Sequence, residues 1–199
     1  MLVDLAGVAP EIVCDLRYLS ADNFVGAPVD GYRANRCLLT VQAAEALALV
    51  DRRLAPMGLG LRVFDAYRPQ RAVDHFVRWA KDVEDTATQT EYYPEIDKTR
   101  LFPEGYIAER SSHSRGSTVD LTLVDRQSGE SLDMGTDFDF FGPQSWPRSQ
   151  AVSAQQRANR LLLRALMMEA GFEPYEQEWW HFTLRDEPCP DRYFDRPVE

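Results

Sequence analysis

Histidine and cysteine are scarce in this chain, with three of each among 199 residues. Cys14, Cys37 and Cys189 are odd in number and have no metal-ligand spacing, which excludes a dense disulfide framework or a cysteine-rich zinc module. Isolated reduced thiols are the expectation. Long apolar runs are missing too: no stretch approaches the ~20 residues that span a bilayer. The start, Met1-Leu2-Val3-Asp4-Leu5, lacks the basic segment and apolar run of a secretory signal, so the cytoplasm is the expected compartment. Basic residues are in deficit, 22 Lys+Arg against 32 Asp+Glu, for a formal net charge of -10. Such a surface repels phosphate backbones and anionic membranes, so neither is an expected partner. Most of the acidity serves solubility, and part of it can serve a site that accepts a metal or an ammonium group. Neither an internal repeat nor a low-complexity linker is present, and the length suits one domain, 1–199.

Three segments carry helical periodicity. Ala43, Ala46, Leu47, Val50 and Leu54 share one face, and Gly58 offers a stop. A second helix begins at Pro69, with Val73, Phe76, Val77 and Ala80 on its apolar face and His75 on its polar side, an exposed or half-buried residue with no assigned role. A third opens on the capping pair Ser153 and Gln156 and runs through Leu163, Leu166, Met167 and Ala170 to Gly171, with Met167-Met168 read as core filling. Strands are expected at Leu61 to Ala66, Thr118 to Val124 and Trp179 to Leu184. Between these lie two long irregular stretches, 86–110 and 134–152, of a kind that is usually functional or mobile. Mixed order without βαβ repeats predicts an α+β domain, its helices packed on a small, mainly antiparallel sheet.

Two of the three histidines sit in segments suited to a metal: Ser111-Ser112-His113-Ser114-Arg115-Gly116-Ser117-Thr118-Val119-Asp120 and Glu178-Trp179-Trp180-His181. Two imidazoles and a carboxylate, with a fourth position open, form a common catalytic zinc set that lowers the pKa of water to about 7. On ideal strands His113 and Asp120 would face opposite ways, as would Glu178 and His181, so each motif requires a turn or bulge. Gly116 supplies the freedom for the first. Glu178 is the candidate base, and Arg68, where a strand gives way to a helix, is the candidate cation for a developing oxyanion. Taken singly, a His-x6-Asp pair, a Glu-x-x-His or an arginine at a helix start is more often an ordinary surface or capping group. Only their convergence carries weight.

Ser112-His113-Ser114-Arg115-Gly116 with Asp120-Leu121-Thr122-Leu123 resembles the VanX-type D-alanyl-D-alanine dipeptidases, within the wider group of zinc D,D-peptidases. So do Ala66-Tyr67-Arg68-Pro69, Asp133-Met134-Gly135-Thr136-Asp137-Phe138-Asp139-Phe140 and Glu178-Trp179-Trp180-His181-Phe182, in the family's order from about Tyr18 to Leu184. The resemblance implies a D,D-peptidase/hedgehog-like α+β fold. It also implies zinc on His113, Asp120 and His181, Glu178 as base, and Arg68 steadying the tetrahedral intermediate. By the same resemblance Asp139 and Tyr18 would hold the substrate ammonium and Ser111 the other end of a small dipeptide. Thr118-Val119 is bulkier than the wider group's usual residues but removes no ligand. Two alternatives stand beside this reading. A related D,D-carboxypeptidase or wall endopeptidase would be expected to carry a signal, anchor or wall-binding module, and a non-catalytic zinc-binding domain would be expected to lack Glu178.

Overall fold

A computed structural model describes all 199 residues. Seven strands and four helices follow one another along the chain. The strands are β1 (Leu2–Asp4), β2 (Val13–Cys14), β3 (Leu38–Thr40), β4 (Leu59–Asp65), β5 (Thr118–Asp125), β6 (Phe172–Pro174) and β7 (His181–Leu184). The helices are α1 (Val41–Leu54), α2 (Gln70–Lys81), the single turn α3 (Gln89–Tyr92) and α4 (Ala154–Glu169). β1 and β3 form an antiparallel ribbon. The main sheet runs β2-β4-β5-β7-β6, with β2 and β4 parallel and the other pairs antiparallel. This is the expected α+β arrangement, built around one core cluster of 47 buried residues.

Local chemistry accounts for the regular elements. Thr40 accepts from the Ala43 amide to cap α1, whose inward face buries Leu47, Val50 and Leu54 completely. Each such burial is worth roughly 1.5–3 kcal/mol. The α4 capping box forms as expected, with Ser153 accepting from the Gln156 amide while Gln156 accepts from the Ser153 amide. Gly58 and Gly171 take φ of 72° and 94°, the left-handed conformation that ends a helix at little cost to glycine. Pro69 is the N-cap of α2 rather than its first residue, so the helix starts one position later than expected.

The structure corrects three expectations. Cys14 and Cys37 are disulfide-bonded, their Cα atoms 6.1 Å apart, which leaves Cys189 as the free thiol. The pairing depends on a tertiary approach across 23 residues, which local spacing does not reveal. Met167 is fully buried but Met168 is 44% exposed, because adjacent residues on a helix diverge by about 100°. Trp179 and Trp180 lie in a turn, and the strand starts only at His181. His75 is half-buried as expected and accepts from the Asp30 amide at 3.1 Å. No helix is long and apolar enough to cross a membrane.

Candidate active site

Three neighbouring strands bring the site together. Across the sheet Asp65 pairs in register with Asp120, and Asp120 with His181, so two carboxylates and an imidazole are aligned at one end of β4, β5 and β7. An irregularity between Val63 and Asp65 adjusts β4 at this point. His113 arrives from a tight 3-10 turn, Ser112–Arg115, which Gly116 closes at φ 83°. A side chain at Gly116 would also collide with Leu2 of β1. The required breaks are thus both present: the turn before β5 turns His113 toward Asp120, and the turn at 178–180 brings Glu178 beside His181.

His113 Nε2 lies 3.2 Å from Asp120 Oδ2 and 3.3 Å from His181 Nδ1, and His181 Nδ1 lies 3.1 Å from Asp120 Oδ1. Tetrahedral zinc with N and O bonds of 2.0–2.2 Å separates its donors by about 3.3 Å, so this set fits the ion. Asp120 Oδ1 is buried and has no hydrogen bond despite its nearness to His181, as expected of a lone pair reserved for a cation. The other nitrogen of His113, Nδ1, is 2.7 Å from the Ala66 carbonyl, which as acceptor fixes the tautomer and frees Nε2 for a metal. Burial pushes the Asp120 carboxyl up, but the adjacent His113 and His181 outweigh it and hold the carboxyl far below its ordinary value. Burial opposes a charge on His181 as well, and the Asp120 carboxylate overrides it and raises the imidazole.

The remaining expected residues surround this centre. Glu178 Oε2 is 3.5 Å from His181 Nδ1, and burial raises its carboxyl to about 7. Arg68 donates from Nε to Asp65 Oδ2 at 2.8 Å and approaches Asp120 Oδ2 at 3.5 Å, while its guanidinium lies over the rings of Tyr18 and Phe76. Tyr18 donates to Asp139 Oδ2 at 2.7 Å in a buried pair. Burial, then the charge of Asp120, raises the Asp139 carboxyl. Among the non-glycine residues, only Asp139 has a left-handed backbone, with φ 62°. Such a conformation survives only where its surroundings enforce it, and it gathers at functional sites. Ser111 caps the His113 turn and lines the same cleft, a cavity of about 370 Å³ that all eight expected residues reach.

Two supporting residues escaped sequence reasoning. Asp65 is fully buried and accepts from both Arg68 Nε and the Tyr32 hydroxyl, the latter at 2.6 Å. It therefore sets the direction of the guanidinium. The only local signal was its place three residues before Arg68 in the Asp65-Ala66-Tyr67-Arg68 junction. Tyr32 gave none, because it arrives from a distant loop.

Fold and cleft together bring two imidazoles and a carboxylate that could hold a metal beside a raised carboxyl and a guanidinium, the groups a metal-dependent hydrolase needs. Sequence comparison supplies the family. The D-Ala-D-Ala dipeptidase profile of the M15 peptidases matches residues 1–199, and the chain belongs to that family. The D-alanyl-D-alanine dipeptidase of Enterococcus faecium is 46% identical over 185 residues, covering 93% of this chain and 92% of the relative. The enzyme of the same name from Streptomyces coelicolor is 47% identical over 184 residues, covering 92% and 91%. A solved structure, the zinc-bound vancomycin-resistance D,D-pentapeptidase VanY, aligns with a TM-score of 0.45 and 12% identity over 77% of this chain and 76% of its own.

Proposed function

We propose that this chain is a single catalytic domain that hydrolyses the dipeptide D-Ala-D-Ala to two D-alanines, with zinc held by His113, Asp120 and His181. The observation that carries the reading is the convergence of those three donors at 3.1–3.3 Å beside the Glu178 carboxyl. When bound, zinc supplies Lewis acidity to water and to the scissile carbonyl. Glu178 takes the proton of the attacking water and passes it to the departing amine, a role suited to a carboxyl raised to about 7. Arg68, held by Asp65, offers fixed positive charge to the oxyanion as it forms. Asp139, with Tyr18 donating to it, receives the substrate ammonium, and the Ser111 hydroxyl faces the other end of the dipeptide.

The partner is thus a small zwitterion rather than a polymer, and the acidic surface argues against nucleic acid. The finer placement, in the cytoplasm, has to accommodate the Cys14–Cys37 disulfide, a bond that reducing compartments disfavour.

The decisive assay is release of free D-alanine from D-Ala-D-Ala, beside L-Ala-L-Ala and an N-acetylated peptide ending in D-Ala-D-Ala. Cleavage of the free D,D-dipeptide alone, lost with a chelator and restored by zinc, is the expected result. Preference for the acetylated peptide would make the protein a carboxypeptidase and remove Asp139 from the ammonium role. Glu178→Ala should keep zinc yet lose roughly 10²–10⁴-fold in turnover. Normal turnover in that variant would remove Glu178 as the base.

A further inference from the structure

The cleft holds anions in excess of cations. Asp120, Asp139, Glu173 and Glu178 line it, against two guanidiniums, Arg68 and Arg110. Arg68 is committed: it is bound to Asp65, faces Asp120, and its side chain is only 12% exposed. Arg110 is different. It makes neither an ion pair nor a side-chain hydrogen bond, and its guanidinium rests over the Tyr193 ring, 5.2 Å from the centroid. It is therefore an exposed cation without an anion, resting on one aromatic ring at the rim of a cleft otherwise dominated by carboxylates.

We propose that Arg110 is the specificity-determining residue that receives the free carboxylate of the substrate's second residue. The proposal rests on the dipeptidase reading above. An ionised dipeptide carries one charge of each sign, so a cleft that takes its ammonium at Asp139 needs a cation for the other end. Arg110 immediately precedes Ser111, which is extended at φ -122° and ψ 139°, and Ser111 immediately precedes the His113 turn. One short segment thus carries the guanidinium, the hydroxyl and a metal donor. That segment is tied down at both ends. Gln70 donates to the Glu109 carbonyl at 3.0 Å, and the Phe194 amide donates to the Ser114 carbonyl at 2.8 Å. A guanidinium offers a planar pair of donors to a carboxylate, and stacking on Tyr193 limits the freedom it must lose on binding. A neutral or extended C-terminus would leave this charge unanswered, so the assignment predicts a preference for dipeptides over longer or amidated chains.

The test is steady-state kinetics of the zinc-loaded enzyme on D-Ala-D-Ala and on its C-terminal amide, for the parent, Arg110→Ala and Arg110→Lys. Arg110→Ala should raise KM for the acid by about 5- to 20-fold, the size expected of a partly solvated charge-assisted contact, with kcat little changed. KM for the amide should hardly move, so the parent's preference for acid over amide should collapse. Arg110→Lys should recover part of that preference through charge alone. Zinc content and circular dichroism identify a misfolded variant, and the lysine variant then carries the comparison. Equal losses on acid and amide, or an unchanged KM for the acid, would overturn the assignment of Arg110 and leave the dipeptidase reading standing. Failure of the parent to cleave either compound would overturn the dipeptidase reading, and this proposal with it.

Discussion

His113, Asp120 and His181 stand on strand ends and a tight turn, and backbone register places them. Asp139 sits in the irregular 134–152 stretch, and side chains reaching in from elsewhere place it. At the proposed metal end, Asp65, Asp120 and His181 are neighbours because β4, β5 and β7 are hydrogen-bonded side by side. At the other end, Arg160 of α4 is 2% exposed and donates to the carbonyls of Met134, Gln144 and Trp146 at 2.6–2.9 Å. Asn159 donates to the Asp133 carbonyl, and Trp179 Nε1 to Thr136 Oγ1. Burial lowers Arg160 to about 10, still well above neutral, so the clamp remains charged. A sheet supplies rigid chemistry at little cost in side chains. A loop needs dedicated polar groups to hold a single residue such as Asp139 in place.

That contrast can be broken at either end. The largest effect is expected at the metal end. His181→Ala should drop zinc content from a full equivalent toward none, and turnover below that of Glu178→Ala. Full occupancy in the variant, measured by metal analysis after dialysis, would contradict the donor set. A smaller and different effect is expected at the loop. Arg160→Met leaves three carbonyls without their donor, at about 1–3 kcal/mol for each group that stays buried and unpaired. It should lower Tm by roughly 2–4 °C per kcal/mol and raise KM, with zinc content unchanged. Loss of zinc in Arg160→Met would show that the two ends are not built independently. The smallest effect concerns neither end. Denatured, unreduced protein should show one reactive thiol, that of Cys189, and three after reduction; three at the outset would dissolve the Cys14–Cys37 bond.

The same division explains what could be read in the sequence. The faces of α1 and α4 are local signals, long enough to show a period, and they match the structure closely; β5 lies where a strand was expected, but Thr118–Val124 are buried on both faces, with no alternation in burial. β1, β2, β3 and β6 span two or three residues each, too short for any period to emerge, and they exist because a partner strand is already there. The convergence of His113, Asp120 and His181, the proposed metal donors, was legible because they lie in compact motifs in a chain with few histidines. Asp65, Tyr32 and Arg160 were not, since each acts through a partner that only the fold brings close.

The contacts behind the metal motif bear on when the site can come into being. Leu2 fills the space beside Gly116, the Phe194 amide binds the Ser114 carbonyl, and fully buried Val198 bridges to Tyr32, which in turn holds Asp65. Residues from both extremes of the numbering therefore brace the same few side chains. During synthesis His113 and Asp120 emerge long before His181, and the 194–198 strap follows later still. The proposed metal donors His113, Asp120 and His181 therefore lack part of this bracing until the 194–198 strap is in place. On the proposed donor set, a chain cut before residue 194 should hold zinc less tightly than the full sequence, as metal analysis after dialysis would show.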